Sequence, residues 1–484
     1  MSAPDNSWSA RLPVVSAHVN PRALSVSGDT LADPTQSRLG RVLLIAYNFP
    51  PDTVVGAQSC WQIARHWPAY GWDPVILTVR ERYVEHVGPP PVGLERMRVI
   101  RTGVLPHPFS LYRAFKSFFA ASTEAPSLPT RGASSHGALW GWMDAFLNTP
   151  DALTGWLPVA VVRGLWAVRK WHVTRLISSG PPWTNHLVGL VLARLTGLPW
   201  IAHFRDPWRE ELTRKVTSNF SLHVERTLER AVVTESAAVV CVTEPHATVM
   251  RETYPLLPGS KFVTITNGYD EAEWAHEDMV TPAGTAAFTV TYAGSFYDRR
   301  SPTPLFRAAR RLVESGDIES GILRICLIGQ CDTAEGRSTR DIARDHKLQD
   351  CLTTPGLLSR RDTHRHLRNS AVLLLLGEGL TLQIPGKTFE YLRAGRPILA
   401  LTSEGALADL LRRTGGAWIV DPLDAAGIVA ALREAYQAWR GGRLARTPDF
   451  RVVSTFDRQL LAGRFAALFN TVGGLSSTLN GGSV

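Results

Sequence analysis

Short runs of consecutive apolar residues alternate along the chain with longer stretches whose apolar residues return every three or four positions. The first run, Arg41-Val42-Leu43-Leu44-Ile45-Ala46-Tyr47, shows no polar alternation, the pattern of a strand buried on both faces of a parallel sheet. A loop over Asn48–Gly56 and a helical stretch around Ala57–Tyr70 follow; Gly71 closes the stretch and Pro74–Thr78 starts a second strand. Together they form a βαβ unit. The same reading predicts helices near 157–171, 184–196 and 219–235 and from about Pro245, with strands at Thr174–Ser178, Trp200–Phe204, Ala238–Thr243 and Phe262–Thr266.

Between Glu271 and Ala287 the composition turns polar, with Pro282 and Gly284, which marks a linker. The alternation then restarts. Strands are predicted at Phe288–Ala293, Leu323–Ile328, Ala371–Leu376, Pro397–Leu401 and Ala417–Val420, and helices near 303–315, 337–347, 361–369, 386–394, 405–414 and 424–439. A last helix, Asp457–Phe469, follows a Gly/Arg/Pro-rich joint at 441–448. The fold class is therefore α/β: two Rossmann-like, doubly wound parallel-sheet domains that face each other across a cleft. The expected divisions are a mobile tail at 1–37, a first domain at 38–282, a second at 283–445, a helical segment at 446–472 and a Gly/Ser-rich tail at 473–484.

Composition narrows the function. Hydrophobic content of 44% with 20% charged residues is that of a globular protein. The charge-free run Leu176–Ala193 is broken by Gly180-Pro181-Pro182 and is not a spanning helix. Lys and Arg number 52 against 43 Asp and Glu, a formal charge of +9, which suits an anionic partner such as a phosphorylated substrate or an acidic lipid surface. With no basic block or zinc-finger spacing, nucleic acid is not expected. Five scattered cysteines without a C-x-x-C pair fit neither a disulfide framework nor a zinc site, and they suit a reducing, cytoplasmic setting; the N-terminus has no signal-peptide pattern.

Four segments could carry chemistry. In the loop Asn48–Gln58, Gly56 would let backbone approach a ligand where a helix N-terminus offers N–H groups to a phosphate; the loop matches neither the dinucleotide nor the P-loop fingerprint. At the carboxyl end of the strand Trp200–Phe204 stand His203, Arg205 and Asp206, where Asp206 could orient an acceptor hydroxyl and Arg205 neutralise an anion; alternatively Arg205 and Asp206 pair, or Asp206 caps a helix. Gly294-Ser295 followed by Arg299 and Arg300 would make a diphosphate site. In Pro385–Pro397, Gly386 opens a helix on which Lys387 and Glu390 share a face, so that a first-turn carboxylate could accept two ribose hydroxyls beside a phosphate.

Taken together, residues 41–470 resemble the GT-B glycosyltransferases, and glycosyltransferase family four in particular. The resemblance rests on Phe49-Pro50-Pro51-Asp52 with Gly56, Ser179-Gly180-Pro181-Pro182, Phe204-Arg205-Asp206-Pro207-Trp208, Thr266-Asn267-Gly268-Tyr269-Asp270, Tyr292-Ala293-Gly294-Ser295 and Lys387–Pro397 in that order. It implies transfer of a sugar from a nucleotide-sugar donor to an acceptor hydroxyl, usually with retention, in polysaccharide or glycolipid assembly. Glu390 would hold the donor ribose, Gly56 would pack on the diphosphate or sugar, Arg300 would neutralise the diphosphate, and Asp206, His203 and Arg205 would face the reacting centre. The last helix would return to brace the first domain. No Asp-x-Asp pair is present, and no metal or other cofactor is expected. A sugar-nucleotide epimerase and a non-catalytic nucleotide-sugar-binding partner are the alternatives.

The chain departs from the family pattern at two positions: Leu382 stands where a first Glu is common, with Glu378 and Gln383 as substitutes nearby, and Ser295 stands where Arg often follows the Gly. Trp140, Trp142, Trp156, Trp166 and Trp171, with Arg163, Arg169 and Lys170, read either as a core helix or as an interfacial surface that would bring a lipid-linked acceptor within reach on an anionic membrane. Acceptor recognition is expected in residues 80–150, which include Phe115, Lys116 and Phe118.

Overall fold

Gly40–Ile45 (β1) is buried from Val42 onward, as its unbroken apolar sequence requires. The computed structural model describes residues 40–105, 149–208, 219–274, 287–296, 300–319 and 321–474. The expected tail at 1–37, residues 475–484 of the expected C-terminal tail, Trp140, Trp142, Phe115, Lys116, Phe118, Arg299 and most of the polar linker lie outside the described residues, while 473–474 belong to the last helix.

From β1 the chain enters Val55–Ala64 (α1) and a 3-10 turn at Trp67–Tyr70. The sequence reads as one helix over 57–70, but Pro68 removes an amide donor and breaks it. Gly71, at φ 83°, then turns the chain into Trp72–Val79 (β2), and Arg98–Thr102 (β3) follows. The helices Leu157–Lys170 (α2), Thr184–Thr196 (α3), Asn219–Glu235 (α4) and Glu244–Thr253 (α5) alternate with Arg175–Gly180 (β4), Trp200–Phe204 (β5), Ala238–Cys241 (β6) and Phe262–Thr264 (β7). All pairings are parallel, in the order β3-β2-β1-β4-β5-β6-β7.

The second sheet repeats the scheme. Phe288–Ala293 (β8), Thr303–Glu314 (α6), Leu323–Ile328 (β9), a two-residue-strand hairpin (β10, Thr333–Ala334; β11, Arg337–Ser338), Thr339–Asp345 (α7) and Leu352–Gly356 (β12) form one half. Arg360–Asn369 (α8), Val372–Leu376 (β13), Lys387–Ala394 (α9), Ile398–Leu401 (β14), Ala406–Thr414 (α10), Ala417–Val420 (β15) and Ala425–Arg440 (α11) form the other. Its order is β12-β9-β8-β13-β14-β15, again parallel. The order reverses between β1 and β4 in the first sheet and between β8 and β13 in the second, and at such switch points open α/β sheets form a crevice.

β3 and β12 are the two strands of the large sheets that the apolar pattern does not announce. Each is a sheet edge: β3 carries Arg98 and Arg101, and β12 carries Pro355, which an edge tolerates because one side of the strand needs no donors.

The chain passes between the domains twice. The first passage leaves β7 and docks Trp274 in the apolar core around Phe389 and Leu392 of the second domain. The second runs through Phe450–Val453 (α12) into Arg458–Gly474 (α13), whose Leu461, Phe465 and Phe469 pack on Val42, Leu44 and Ile201 of the first sheet. The two passages touch, with Tyr269 N donating to Phe456 O at 3.2 Å and Arg458 N to Tyr269 O at 2.9 Å. A Cβ on Gly268 would collide with Phe456 O, so glycine is needed at this crossing.

Phe465 is 1% exposed, with its ring 5.2 Å from that of His203 and 6.3 Å from that of Trp67. Phe465→Ala is expected to cost about 3 kcal/mol in denaturant unfolding; a change below about 0.5 kcal/mol would mean that α13 is not anchored there.

Candidate active site

The loops that leave the switch-point strands face one another across a cavity of about 640 Å³. The first domain contributes Gly56, Pro181, Arg205 and Asp206; the second contributes Gly294, Ser295, Arg300, Gln383, Gly386, Lys387 and Glu390. Arg360, His364 and Arg458 also line it. Five basic side chains (Arg205, Arg300, Arg360, Lys387, Arg458) thus face two carboxylates, Asp206 and Glu390, a balance suited to an anion.

Gly56 lies in the first turn of α1, and a Cβ there would strike the Arg205 guanidinium. Arg205 reaches across it to donate to Pro181 O, so glycine keeps the path of that side chain open. Arg205 and Asp206 do not form a salt bridge; Asp206 Oδ1 accepts from Gln383 Nε2 at 3.1 Å, a hydrogen bond between the domains. Beside it, Thr243 Oγ1 donates to Leu382 O at 2.6 Å. Burial raises the Asp206 carboxyl above its ordinary value, against the opposing charge of Arg205.

His203 does not reach the cavity. Strand residues alternate faces, and His203 shares the α13 face with Ile201, while Trp200, Ala202 and Phe204 face the opposite core. Its Nδ1 lies 3.1 Å from Ser179 Oγ and its ring meets Phe465 edge-on. Burial, aided by Arg205, pushes its pKa down to about 3, so the ring is neutral and structural. The expectation that His203 faces the reacting centre is corrected here. Of the two substitutes for Leu382, Gln383 lines the cavity and Glu378 lines a separate pocket with Arg307 and Glu335.

Glu390 stands in the first turn of α9 and is held by side chains from two other segments, Trp274 in the first passage and Arg360 and His364 on α8. Its Oε1 lies 3.0 Å from Arg360 Nη2, and its Oε2 accepts from Trp274 Nε1 at 3.0 Å and lies 3.2 Å from His364 Nε2. The His364 ring stacks on Trp274 at 4.0 Å. Arg360 also reaches Glu273 at 2.6 Å, and Gln62 donates to Glu273 at 2.7 Å. Burial alone would raise the Glu390 carboxyl, but the hydrogen bond from His364 and the charges of Arg360, His364 and Arg458 outweigh it and the net shift is downward. Glu273, His364 and Glu390 have the composition of a metal site, but the Arg360 guanidinium lies between the two carboxylates and already supplies the cation.

On the other side of the cavity Lys387 extends from α9 onto Gly294, its Nζ 3.8 Å from the centre of the Tyr292 ring. No side chain caps α9, so its positive end faces the same corner. Gly294, at φ 149°, has a backbone conformation that L side chains rarely adopt, and a Cβ would hit the Lys387 ammonium. Arg360, His364 and Arg458 are cavity residues that the sequence reading missed. The i,i+4 spacing of Arg360 and His364 on one helix face was a usable signal, whereas nothing local distinguishes Arg458.

Residues 287–438 match the family model described as Glycosyl transferases group 1. No curated protein matches the chain in sequence. Among solved structures, a sucrose-phosphate synthase from Thermosynechococcus elongatus superposes with a TM-score of 0.59 at 16% identity, covering 90% of this chain and 100% of that one. HepE from Anabaena, solved in complex with UDP-glucose, gives 0.57 at 11% identity, with 90% and 100% covered. An α,α-trehalose 6-phosphate synthase from Burkholderia multivorans gives 0.56 at 12%, with 93% and 100% covered. The shared fold is the GT-B architecture.

Glu390→Gln leaves the shape and removes the charge that Arg360 and His364 balance, and it should cost roughly 1–3 kcal/mol at neutral pH. Because the folded-state pKa of Glu390 is depressed, the wild-type advantage is complete above the ordinary value of 4.5 and is lost as pH falls through the depressed one. Unfolding midpoints of the two proteins should therefore converge below about pH 4.5. A gap that stays constant down to pH 3 would rule out a charged Glu390 in the folded state.

Proposed function

We propose that this chain, a glycosyltransferase of GT-B fold with a group 1 domain at 287–438, moves a sugar from a nucleoside-diphosphate donor to an acceptor hydroxyl in the interdomain cavity, with retention and without a metal. The observation that carries the reading is the cationic corner where Lys387, Arg300 and the N-terminus of α9 converge on Gly294, one helical turn from Glu390. That spacing suits a diphosphate beside a ribose: Glu390 accepts from the ribose hydroxyls, and the positive corner takes the charge that grows on the departing diphosphate. HepE, which shares the fold, was solved with UDP-glucose.

In the proposed reaction the bond between the anomeric carbon and the diphosphate oxygen breaks, its electron pair leaving with the diphosphate. The acceptor oxygen bonds to the anomeric carbon, and its proton passes to a diphosphate oxygen. Asp206, on the opposite wall, orients the acceptor, and Arg205 keeps the floor beneath Gly56 electropositive. Polysaccharide or glycolipid assembly is the setting that this chemistry suits.

Calorimetric titration with UDP, GDP, ADP, dTDP and their sugar conjugates in EDTA tests the donor. One nucleotide family should bind, and Glu390→Ala should weaken it at least ~10-fold. With that donor, Asp206→Asn should lower kcat by ~10² or more with the binding of donor little changed. If wild type binds none of these nucleotides, the donor assignment is wrong; turnover that interconverts free sugar nucleotides would favour the epimerase.

A membrane-bound acceptor is supported by one surface. On α2, Val162 is 65% and Trp166 39% exposed, and Arg163 and Lys170 lie over the Trp166 ring at 4.7 and 4.6 Å. Trp156 belongs to the core, donating to Thr102 Oγ1 at 2.6 Å. No helix among the described residues is long and apolar enough to cross a membrane, so contact would be peripheral, at a cytoplasmic face. The protein should float with anionic vesicles but not neutral ones, and a Val162→Ser/Trp166→Ser variant should lose at least half of that binding. Equal flotation of the variant would move the contact elsewhere.

A further inference from the structure

Asp206 lines the cavity from the first domain, yet its hydrogen-bond partner comes from the second. Gln383 Nε2 donates to its Oδ1 at 3.1 Å, the one hydrogen bond that the carboxylate makes among the described residues. Oδ2 accepts from none of them. Arg205, the neighbour that would ordinarily pair with a carboxylate, donates instead to Pro181 O. We propose that Gln383 is the positioning residue for Asp206: the second domain supplies the amide that engages one carboxylate oxygen and so aims the other at the acceptor hydroxyl. The inference rests on the role given to Asp206 above and adds the residue through which that role is set.

Gln383 can aim a group only if it is itself held, and its neighbours along the chain are tied down one by one. Ala406 N donates to Thr381 O at 2.8 Å. Gly405, at φ 145°, makes that approach possible, since a Cβ there would meet the backbone of Thr381. Thr243 Oγ1, at the N-cap of α5, donates to Leu382 O at 2.6 Å. Ile384 is buried in the core around Phe389 and Leu392, and Pro385 follows with its restricted φ. The backbone is thus anchored on both sides of Gln383, and the side chain alone reaches across to the first domain.

The kind of side chain matters as much as its place. An amide donates without bringing a charge, so Asp206 is oriented and still has a full carboxylate to offer a hydroxyl. A Lys or Arg at 383 would pair with it. A Glu at 383 would set two carboxylates at hydrogen-bond distance, where both cannot ionise together. The other charged groups of the cavity are Arg205 beside Asp206 and Arg300, Arg360, Lys387, Glu390 and Arg458. Arg205 opposes the upward push of burial on the Asp206 carboxyl, and the hydrogen bond from Gln383 favours the same ionised form. Loss of that bond therefore moves the carboxyl further up. Because the ionised form is the one that orients the acceptor, activity would then be lost at a higher pH as the solution is acidified.

The test uses the full chain and three variants, Gln383→Leu, Gln383→Glu and Asp206→Asn. Protein labelled with [4-13C]aspartate is titrated by NMR, the Asp206 carboxyl resonance being the one that Asp206→Asn removes. Its pKa is expected to rise in Gln383→Leu and to rise further, by ~1 or more, in Gln383→Glu. In parallel, release of nucleoside diphosphate from UDP-, GDP-, ADP- and dTDP-sugars is followed over about pH 4–9 with p-nitrophenyl glycosides as acceptors. With the donor that wild type uses, Gln383→Leu should lose ~10-fold or more in kcat, keep the donor KM within ~2-fold, and show an acid limb displaced upward with the carboxyl resonance. An unmoved carboxyl pKa in both Gln383 variants overturns the inference, and where wild type turns over no donor this titration decides alone. A fall in kcat with an unmoved acid limb would make Gln383 only a tie between the domains, which also overturns it. So does full activity of Gln383→Leu where Asp206→Asn is impaired. If Asp206→Asn is itself fully active, the role of Asp206 falls first and the inference with it.

Discussion

The Arg458 guanidinium is buried at the point where both passages between the domains meet, and the arrangement of the two sheets depends on its satisfaction. Its Nε donates to Gly268 O at 2.8 Å in the first passage, and its Nη1 faces Ser59 on α1, while its own backbone opens the helix that ends the second. Carbonyl oxygens and a hydroxyl cannot neutralise a cation. The compensating charge comes through space from Glu390, Glu273 and Asp270, yet burial still draws the arginine down to about 10. Three acidic groups are thereby gathered around the Arg458 guanidinium.

From that grouping follows the unequal sharing of charge in the cleft. Glu273 is absorbed by Arg360 and Gln62, and Asp270 by Arg65 and His66, so acids near the floor face inward to protein partners. At the Gly294 wall the Lys387 ammonium is buried and makes no hydrogen bond among the described residues. Glu390 sits on the border between these regions, near enough to the hinge residues to be oriented by them and near enough to the cavity to contact a ligand. A low-dielectric site strengthens every such interaction, favourable or not.

Much of this was legible in the sequence, for identifiable reasons. Runs such as Leu323–Ile328 and the helical period over Asn219–Glu235 declare themselves because burial and period are local properties. The edge strands β3 and β12 were missed because their arginines and proline reflect a missing neighbour, which only the assembled sheet defines. His203 was placed in the cleft because it ends a strand, although the period of two already assigned it to the face of Ile201. The partners of Glu390 come from positions 274, 360 and 364, and the Asp206–Gln383 contact spans the two domains. Pairings at such separation have no local signal.

The side-by-side passage of the chain at Tyr269 and Asp457 has a mechanical consequence. Two backbones bonded to each other define a line, and the soft motion they leave is rotation about that line, with sliding and twisting resisted by the hydrogen bonds between them. Because Gly268 permits the contact at backbone range, the axis lies close to the cavity floor, so a small rotation there becomes a much larger displacement at the rim. The hydrogen bond from Gln383 to Asp206 is a separate tie between the domains, so rotation about that line has to stretch or break it.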